Sequence, residues 1–321
     1  MDRLGIITLK PGELTWETAL RLFFLRCKTK DISPRTMELY QTHLKTLQEW
    51  VKANGEPKPE ETGQTVLRSF LEAYKARGNK PATVDGMWRV LRTLFGFLHQ
   101  EGLIMVDPME KVERPKKERR FIKPVTEEQL RLLLGQMDTK DILGLRDYAL
   151  TVFLADTGLR LSEALSLRIC DLDWTGNSVS VLGKGRKERR VAFGQTARRV
   201  LLAWIEKRRP GTKEEFLWVN RYGQQMQRLN FQQRMKAYSK SAGIAADRLS
   251  PHALRHFFAL QFLKNGGDVM TLQKLLGHSS LEMVRNYVNM TDDDALADHR
   301  KASPLDKMGP LPGERRSVRL K

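Results

Sequence analysis

The stretch SPHALRHFFALQFLKNGGDVMTLQKLLGHSSLEMVRNYVNM, residues 250–290, sets four polar groups, His252, Arg255, His278 and Tyr287, into an otherwise apolar, helix-patterned segment. Ser250 directly before Pro251 is a helix start, the serine as N-cap and the proline at the first helical position. His252 and Arg255 then fall three apart on one helical face. Gly277 is expected to end a helix that begins near Asp268, which leaves His278 on the turn just beyond it. In the short helix that follows, Leu281, Val284 and Val288 mark one face. Met283, Tyr287 and Met290 mark another, so Tyr287 lies off the main apolar stripe.

Each of these residues has an ordinary structural role available. A tyrosine on an amphipathic helix is most often a core or interface residue with its hydroxyl satisfied. His252 and His256, at i and i+4, have the spacing of a zinc pair. However, Ala253 stands where a zincin carries its glutamate, and no cysteine cluster completes a site, so no metal is expected. The four gain weight together, because the composition and two basic segments upstream point the same way. The chain has 321 residues, 40% hydrophobic and 29% charged, enough for two domains with cores of their own. Its formal charge is +18 and its pI near 10.0. Such an excess calls for a polyanionic partner, and without long apolar runs nucleic acid is favoured over a membrane surface. Cys27 and Cys170 stand far apart in no motif, as in a reducing compartment. No signal peptide or membrane span is expected, which places the protein in the cytoplasm, with the nucleoid.

Taken in order, residues 1–13 carry no periodicity and read as a leader. An all-α domain is expected over 14–108. Its first helix carries Trp16, Leu20, Phe23 and Cys27, and its second runs from Ser33-Pro34 through Met37, Tyr40, Leu44, Leu47 and Val51 to Asn54-Gly55. A third holds Val66, Leu67, Phe70, Leu71 and Tyr74 and closes at Gly78. The fourth holds Val84, Met87, Trp88, Leu91, Leu94 and Leu98 and stops at Gly102. Arg35, Lys45, Lys52, Arg89 and Arg92 lie on the polar faces, suited to tracking phosphates. Residues 109–123 read as a basic linker, with Lys116, Lys117, Arg119 and Arg120 as candidate DNA contacts.

A second, mixed α+β domain is expected over 124–290. The capping box Thr126-Glu-Glu-Gln129 opens it, and the nearly apolar helix from about Ile142 to Asp156 is its buried centre. Gly158 breaks that helix, Arg160 starts the next, and Glu163 is placed to hold the Arg160 guanidinium. From Asp171 to Gly194 the pattern is β, with Val179 and Val181 alternating and Gly183-Lys184-Gly185 turning the chain into a small antiparallel hairpin. Lys184 sits at the tip with Arg186 and Lys187 beside it. A helix over Ala197–Arg208, a short strand at Phe216–Val219 and a helix over Asn230–Ser241 complete the domain. Residues 291–321 read as a short helix from about Asp292 to Arg300 and a Pro- and Arg-rich tail.

Thr157-Gly-Leu-Arg160 with Glu163, Gly-Lys184-Gly in a hairpin, His252-x-x-Arg255-His, Leu-Gly-His278-Ser-Ser, and Tyr287 nine residues after that histidine resemble, in this order, the tyrosine recombinase (phage integrase) family. The resemblance spans nearly all of residues 14–290. It implies a SAM-like core-binding domain and an α+β catalytic domain that together clasp double-stranded DNA, with the helices near Ser33–Asn54 and Ala82–Glu101 toward its grooves. It also implies a phosphodiester-cleaving site without metal or ATP. Arg160 and Arg255 would neutralise the phosphate, with His278 as a further donor. Tyr287 would attack phosphorus with help from His252, and Lys184 would protonate the leaving 5′-oxygen. The partners implied are DNA with paired inverted half-sites, further copies of the chain in a tetramer, and an accessory DNA-bending or directionality protein. Two other functions use similar residues: type IB topoisomerase relaxation and DNA binding by a silent relative. The compact helical first domain favours recombination over the former, and an intact catalytic set over the latter.

Overall fold

The computed structural model describes residues 14–116, 125–183, 188–208, 215–245 and 248–277. The chain divides into two units, Met1–Phe121 and Ile122–Lys321.

The first unit is built from α1 (Trp16–Thr29), α2 (Pro34–Ala53), α3 (Gln64–Ala76) and α4 (Pro81–Gln100). Side-chain caps start the first two: Thr15 accepts from the Thr18 amide, and Ser33, ahead of Pro34, accepts from the Thr36 amide. The centre of the unit is α4, which packs against the other three helices and buries Met87, Val90, Leu91, Leu94, Phe95 and Leu98. Its buried Asp85 accepts from Arg114 Nε at 2.6 Å and faces Arg89 at 3.4 Å. The first part of the segment expected as linker, from 109, is built into this unit. Met109 and Val112 are buried. Arg92 donates to Met109 O at 2.7 Å, Trp88 to Val112 O at 3.1 Å and Arg68 to Lys111 O at 2.8 Å. Apolar contacts at two of four positions, with backbone carbonyls satisfied by side chains, outweigh the polar composition from which a tether was read.

The second unit contains α5 (Glu127–Gly135), α6 (Ile142–Thr157), α7 (Leu161–Ser166), a sheet of β1 (Leu172–Asp173), β2 (Ser178–Leu182) and β3 (Glu188–Ala192), then α8 (Gln195–Lys207), α9 (Arg228–Ser241), α10 (Pro251–Lys264) and α11 (Val269–Leu276). The Thr126–Gln129 capping box is formed in both directions. Among the described residues the sheet is three-stranded and antiparallel, ordered β1-β2-β3. Val179 pairs with Val191 and Val181 with Arg189. The expected strand at Phe216–Val219 is instead two isolated bridges, Phe216 to Arg168 and Val219 to Gln225. Each end meets a different segment, so no continuous ladder extends along it.

Helix α6 is the core of this unit, packed by α8 and α10, and it carries buried polar groups among its apolar ones. Asp147, fully buried, accepts from Arg146 Nη2 at 2.8 Å, from Arg234 Nε and from the Tyr238 hydroxyl at 3.1 Å. Burial, then the charge of Asp147, pushes the Tyr238 phenol up to about 12. This network ties α6 to α9, and Arg146 extends it to Val219 O at 3.1 Å. Replacing Asp147 by alanine strands the buried Arg146 guanidinium, so Asp147→Ala should cost about 3 kcal/mol or more in urea unfolding of the whole chain. A loss under about 1 kcal/mol would mean that the network is not coupled to folding.

Candidate active site

The site starts where α6 ends. Gly158 caps the helix with φ of +63°, and a Cβ there would lie 2.3 Å from the ring of Phe258 on α10. Only glycine permits both this conformation and that approach. The turn delivers Arg160 to the N-cap of α7 and places Glu163 in its first turn.

Glu163 closes back on this cap. The Arg160 amide donates to Glu163 Oε2 at 2.9 Å and Arg160 Nη1 to Oε1 at 2.8 Å. A second guanidinium reaches the same carboxylate from β3: Arg189 Nη2 donates to Oε2 at 2.8 Å and Nη1 to Oε1 at 3.2 Å. The Glu163 side chain is 8% exposed and that of Arg189 15%, whereas that of Arg160 is 36% exposed. Burial raises the Glu163 pKa, but the hydrogen bonds and charge of Arg189, together with the backbone and side-chain hydrogen bonds of Arg160, outweigh it and hold the carboxyl below its usual range. An ordinary surface ion pair would not be buried in this way.

Arg255, on α10, is 5% exposed. It donates from Nη1 to Gly158 O at 2.7 Å and from Nη2 to Leu276 O at 2.6 Å. Arg189 Nε takes the preceding carbonyl, Leu275 O, at 3.0 Å. The last carbonyls of a helix have no partners within it, and here two guanidiniums supply them at the end of α11. Gly277 then caps α11 with φ of +63°, and a Cβ on it would lie 3.2 Å from Arg189 Cζ. His252 is exposed at the start of α10. Its imidazole pKa is lowered by partial desolvation and then by the charges of Arg228, Arg255 and Arg160, which favours a neutral ring. His256, partly buried, is lowered by desolvation, His252 and Arg255.

Of the residues picked out in the sequence, Arg160, Glu163, His252 and Arg255 are thus brought together. Lys184, Arg186, Lys187, His278 and Tyr287 lie outside the described residues, as do Lys117, Arg119 and Arg120. In the first unit Arg35, Lys45, Arg89, Arg92 and Lys116 are exposed, though Arg35 pairs with Glu38 at 2.7 Å, Arg89 faces Asp85 of its own helix and Arg92 holds α4 to Met109 O. Arg189 is absent from the sequence-derived set. Its signal is strand alternation: it stands two residues before the buried Val191, on the inward-facing phase of β3.

Comparison with known proteins bears on the family and the fold. The model of the phage integrase family matches residues 123–294, and that of the phage integrase N-terminal SAM-like domain matches residues 23–102. The chain is 33% identical over 280 residues to tyrosine recombinase XerD of Lacticaseibacillus casei, covering 86% of this chain and 94% of that one. To tyrosine recombinase XerD of Yersinia pestis it is 33% identical over 279 residues, covering 86% and 93%. Two solved structures share the fold. One is the XerH site-specific recombinase in a post-cleavage complex with its palindromic difH substrate, with a TM-score of 0.70 at 21% identity over 90% of this chain and 85% of that one. The other is a lambda integrase dimer bound to a COC′ core site, with a TM-score of 0.70 at 16% identity over 84% and 97%.

The depressed Glu163 pKa makes a prediction about acid stability. A lowered carboxylate contributes stability that is present above its unfolded pKa of about 4.3 and lost as pH falls through the lower folded value. Glu163→Gln should therefore flatten the fall in unfolding free energy below that pH relative to the parent chain, as read from urea titrations at a series of pH values. Parallel curves would show that Glu163 is not held below its ordinary range.

Proposed function

This chain belongs to the phage integrase family and is a tyrosine site-specific recombinase, and from that premise we propose that Tyr287 cuts DNA at a phosphate held by Arg160 and Arg255. The observation that carries this assignment is the fixing of both guanidiniums in the described part of the site. Arg255 is anchored through two backbone carbonyls and Arg160 through Glu163. Arginine forks that are charged at all working pH values and pre-oriented by the protein match the two non-bridging oxygens of a phosphodiester.

In the proposed reaction the Tyr287 phenolic oxygen forms a bond to phosphorus as the bond from phosphorus to the 5′-oxygen breaks. Neutral His252 assists removal of the phenolic proton, which a free phenol of pKa about 10 gives up poorly at neutral pH. His278 donates to the phosphate, and Lys184 gives the leaving 5′-oxygen its proton. The products are a 3′-phosphotyrosyl enzyme and a free 5′-hydroxyl. Attack by the 5′-hydroxyl of a second strand reverses the chemistry and exchanges strands, without nucleotide hydrolysis. The partner is double-stranded DNA, here with paired inverted half-sites. Arg35, Lys45, Arg89, Arg92 and Lys116 in the first unit, Lys117, Arg119 and Arg120 after them, and Arg186 and Lys187 beside Lys184 would contact its phosphates. The +18 formal charge supports that electrostatic footprint. Integration or excision of a mobile element, or resolution of DNA multimers, would follow, in the cytoplasm on the nucleoid. Among the described residues no helix is long and apolar enough to cross a membrane.

Tyr287→Phe should abolish covalent attachment to a nicked suicide substrate on a denaturing gel while leaving DNA affinity nearly unchanged, since phosphate contacts dominate binding. Undiminished protein-linked DNA would move the nucleophile elsewhere. The assembly is proposed as a ring of four on two duplexes, closed by head-to-tail docking of the segment after Met290, with an accessory DNA-bending or directionality protein as a further partner. Stopping the chain after Thr291 should leave half-site binding intact but deplete tetramers in mass photometry with paired sites. Normal tetramers and normal recombination would make that segment a solvated extension.

A further inference from the structure

The carboxylate of Glu163 lies between two guanidiniums of unequal exposure. Arg189 grips both carboxylate oxygens, at 2.8 and 3.2 Å, and is nearly buried. Arg160 gives that carboxylate one Nη1 contact at 2.8 Å and remains 36% exposed. One negative charge set between two permanent positive charges leaves one positive charge uncompensated, and it belongs to the group open to solvent. Were Arg189 absent, the buried carboxylate would have Arg160 as its remaining guanidinium. It would draw that fork inward and cancel the charge meant for phosphate. Arg189 Nε also holds Leu275 O at 3.0 Å, so the group that neutralises Glu163 is itself fixed to the end of α11.

We infer that Arg189 is a positioning residue of the cleavage reaction: it takes up the charge of Glu163 and so leaves the Arg160 guanidinium free to bind the scissile phosphate. This rests on the assignment of Arg160 to the phosphate and Lys184 to the leaving oxygen, and extends it to a residue that touches neither.

The test is single-turnover cleavage of suicide DNA carrying either an ordinary phosphate or a bridging 5′-phosphorothiolate, whose sulfur leaves without a proton. Arg189→Gln should cleave the ordinary substrate about 100-fold more slowly, the size of effect seen when a transition-state charge contact is lost, with binding changed by no more than about threefold. Sulfur should not rescue it, because the defect lies at the non-bridging oxygens. Adding Glu163→Gln to Arg189→Gln removes the unmatched carboxylate and should recover about tenfold, compared where urea titration shows both variants fully folded so that the coupling reports the charge at Arg160 and not a repaired scaffold. Arg189→Lys keeps the charge but loses the bidentate fork, so its rate should fall between those of the parent chain and Arg189→Gln; it replaces Arg189→Gln as the deciding variant should the latter not fold. Near-normal cleavage by Arg189→Gln, rescue of that variant by sulfur, or a double variant no faster than the single one would each overturn the inference. So would Arg189→Lys as slow as the catalytically dead Tyr287→Phe. Lys184→Ala, run alongside, should be rescued by sulfur. Its failure to be rescued would count against the leaving-group assignment, and leave the Arg189 comparison standing on the ordinary phosphate alone.

Discussion

A single buried carboxylate, Glu163, organises the described half of this site. It caps the amide of Arg160, orients the guanidinium of the same residue and receives both terminal nitrogens of Arg189. Burying a carboxylate is costly unless it is paired and hydrogen-bonded. Here the cost is offset by two cations, and the surplus positive charge faces outward. Stability and chemistry thus draw on the same contacts: what makes Glu163 tolerable inside the unit also makes Arg160 a fixed positive fork at its surface.

The backbone around this carboxylate is shaped to the same end. Gly158 and Gly277 both adopt left-handed φ at helix ends, and Arg255 reaches across to Gly158 O and Leu276 O. A helix C-terminus carries partial negative charge that favours cations nearby. In α11 that preference is met by two arginines on consecutive carbonyls, which joins α10, β3 and the α6–α7 turn to its last two residues, Leu275 and Leu276. The two guanidiniums assigned to the phosphate are therefore anchored through backbone and buried carboxylate, contacts that do not require substrate to form.

Much of this was legible in the sequence, because it depends on local chemistry. Ser33-Pro34, Thr126 with Gln129, and Ser250-Pro251 mark helix starts that the structure forms with the expected side-chain caps. The i, i+3 relation of Arg160 and Glu163 likewise predicted their contact. What escaped depends on long-range partners. Arg189 reads as one more basic residue in a basic hairpin until β2 pairing sets Val191 inward and Arg189 with it. Phe216–Val219 has strand-like composition, yet its two ends pair with separate segments. The basic residues after Asp107 suggest a tether, but Met109 and Val112 supply the apolar contacts that seat the start of that segment on α4.

The central claim is that the guanidinium arrangement is complete before DNA arrives. The direct measurement is solvent exchange of arginine side-chain Nε–H groups by nitrogen-15 NMR on the DNA-free protein, with the Arg189 signal assigned by its loss in Arg189→Lys. The arrangement described here requires the Arg189 Nε–H, bonded to Leu275 O, to exchange slowly and to stay nearly unchanged when half-site DNA is added. An Arg189 Nε–H that exchanges as fast as those of exposed arginines, and becomes protected only on DNA binding, would contradict it.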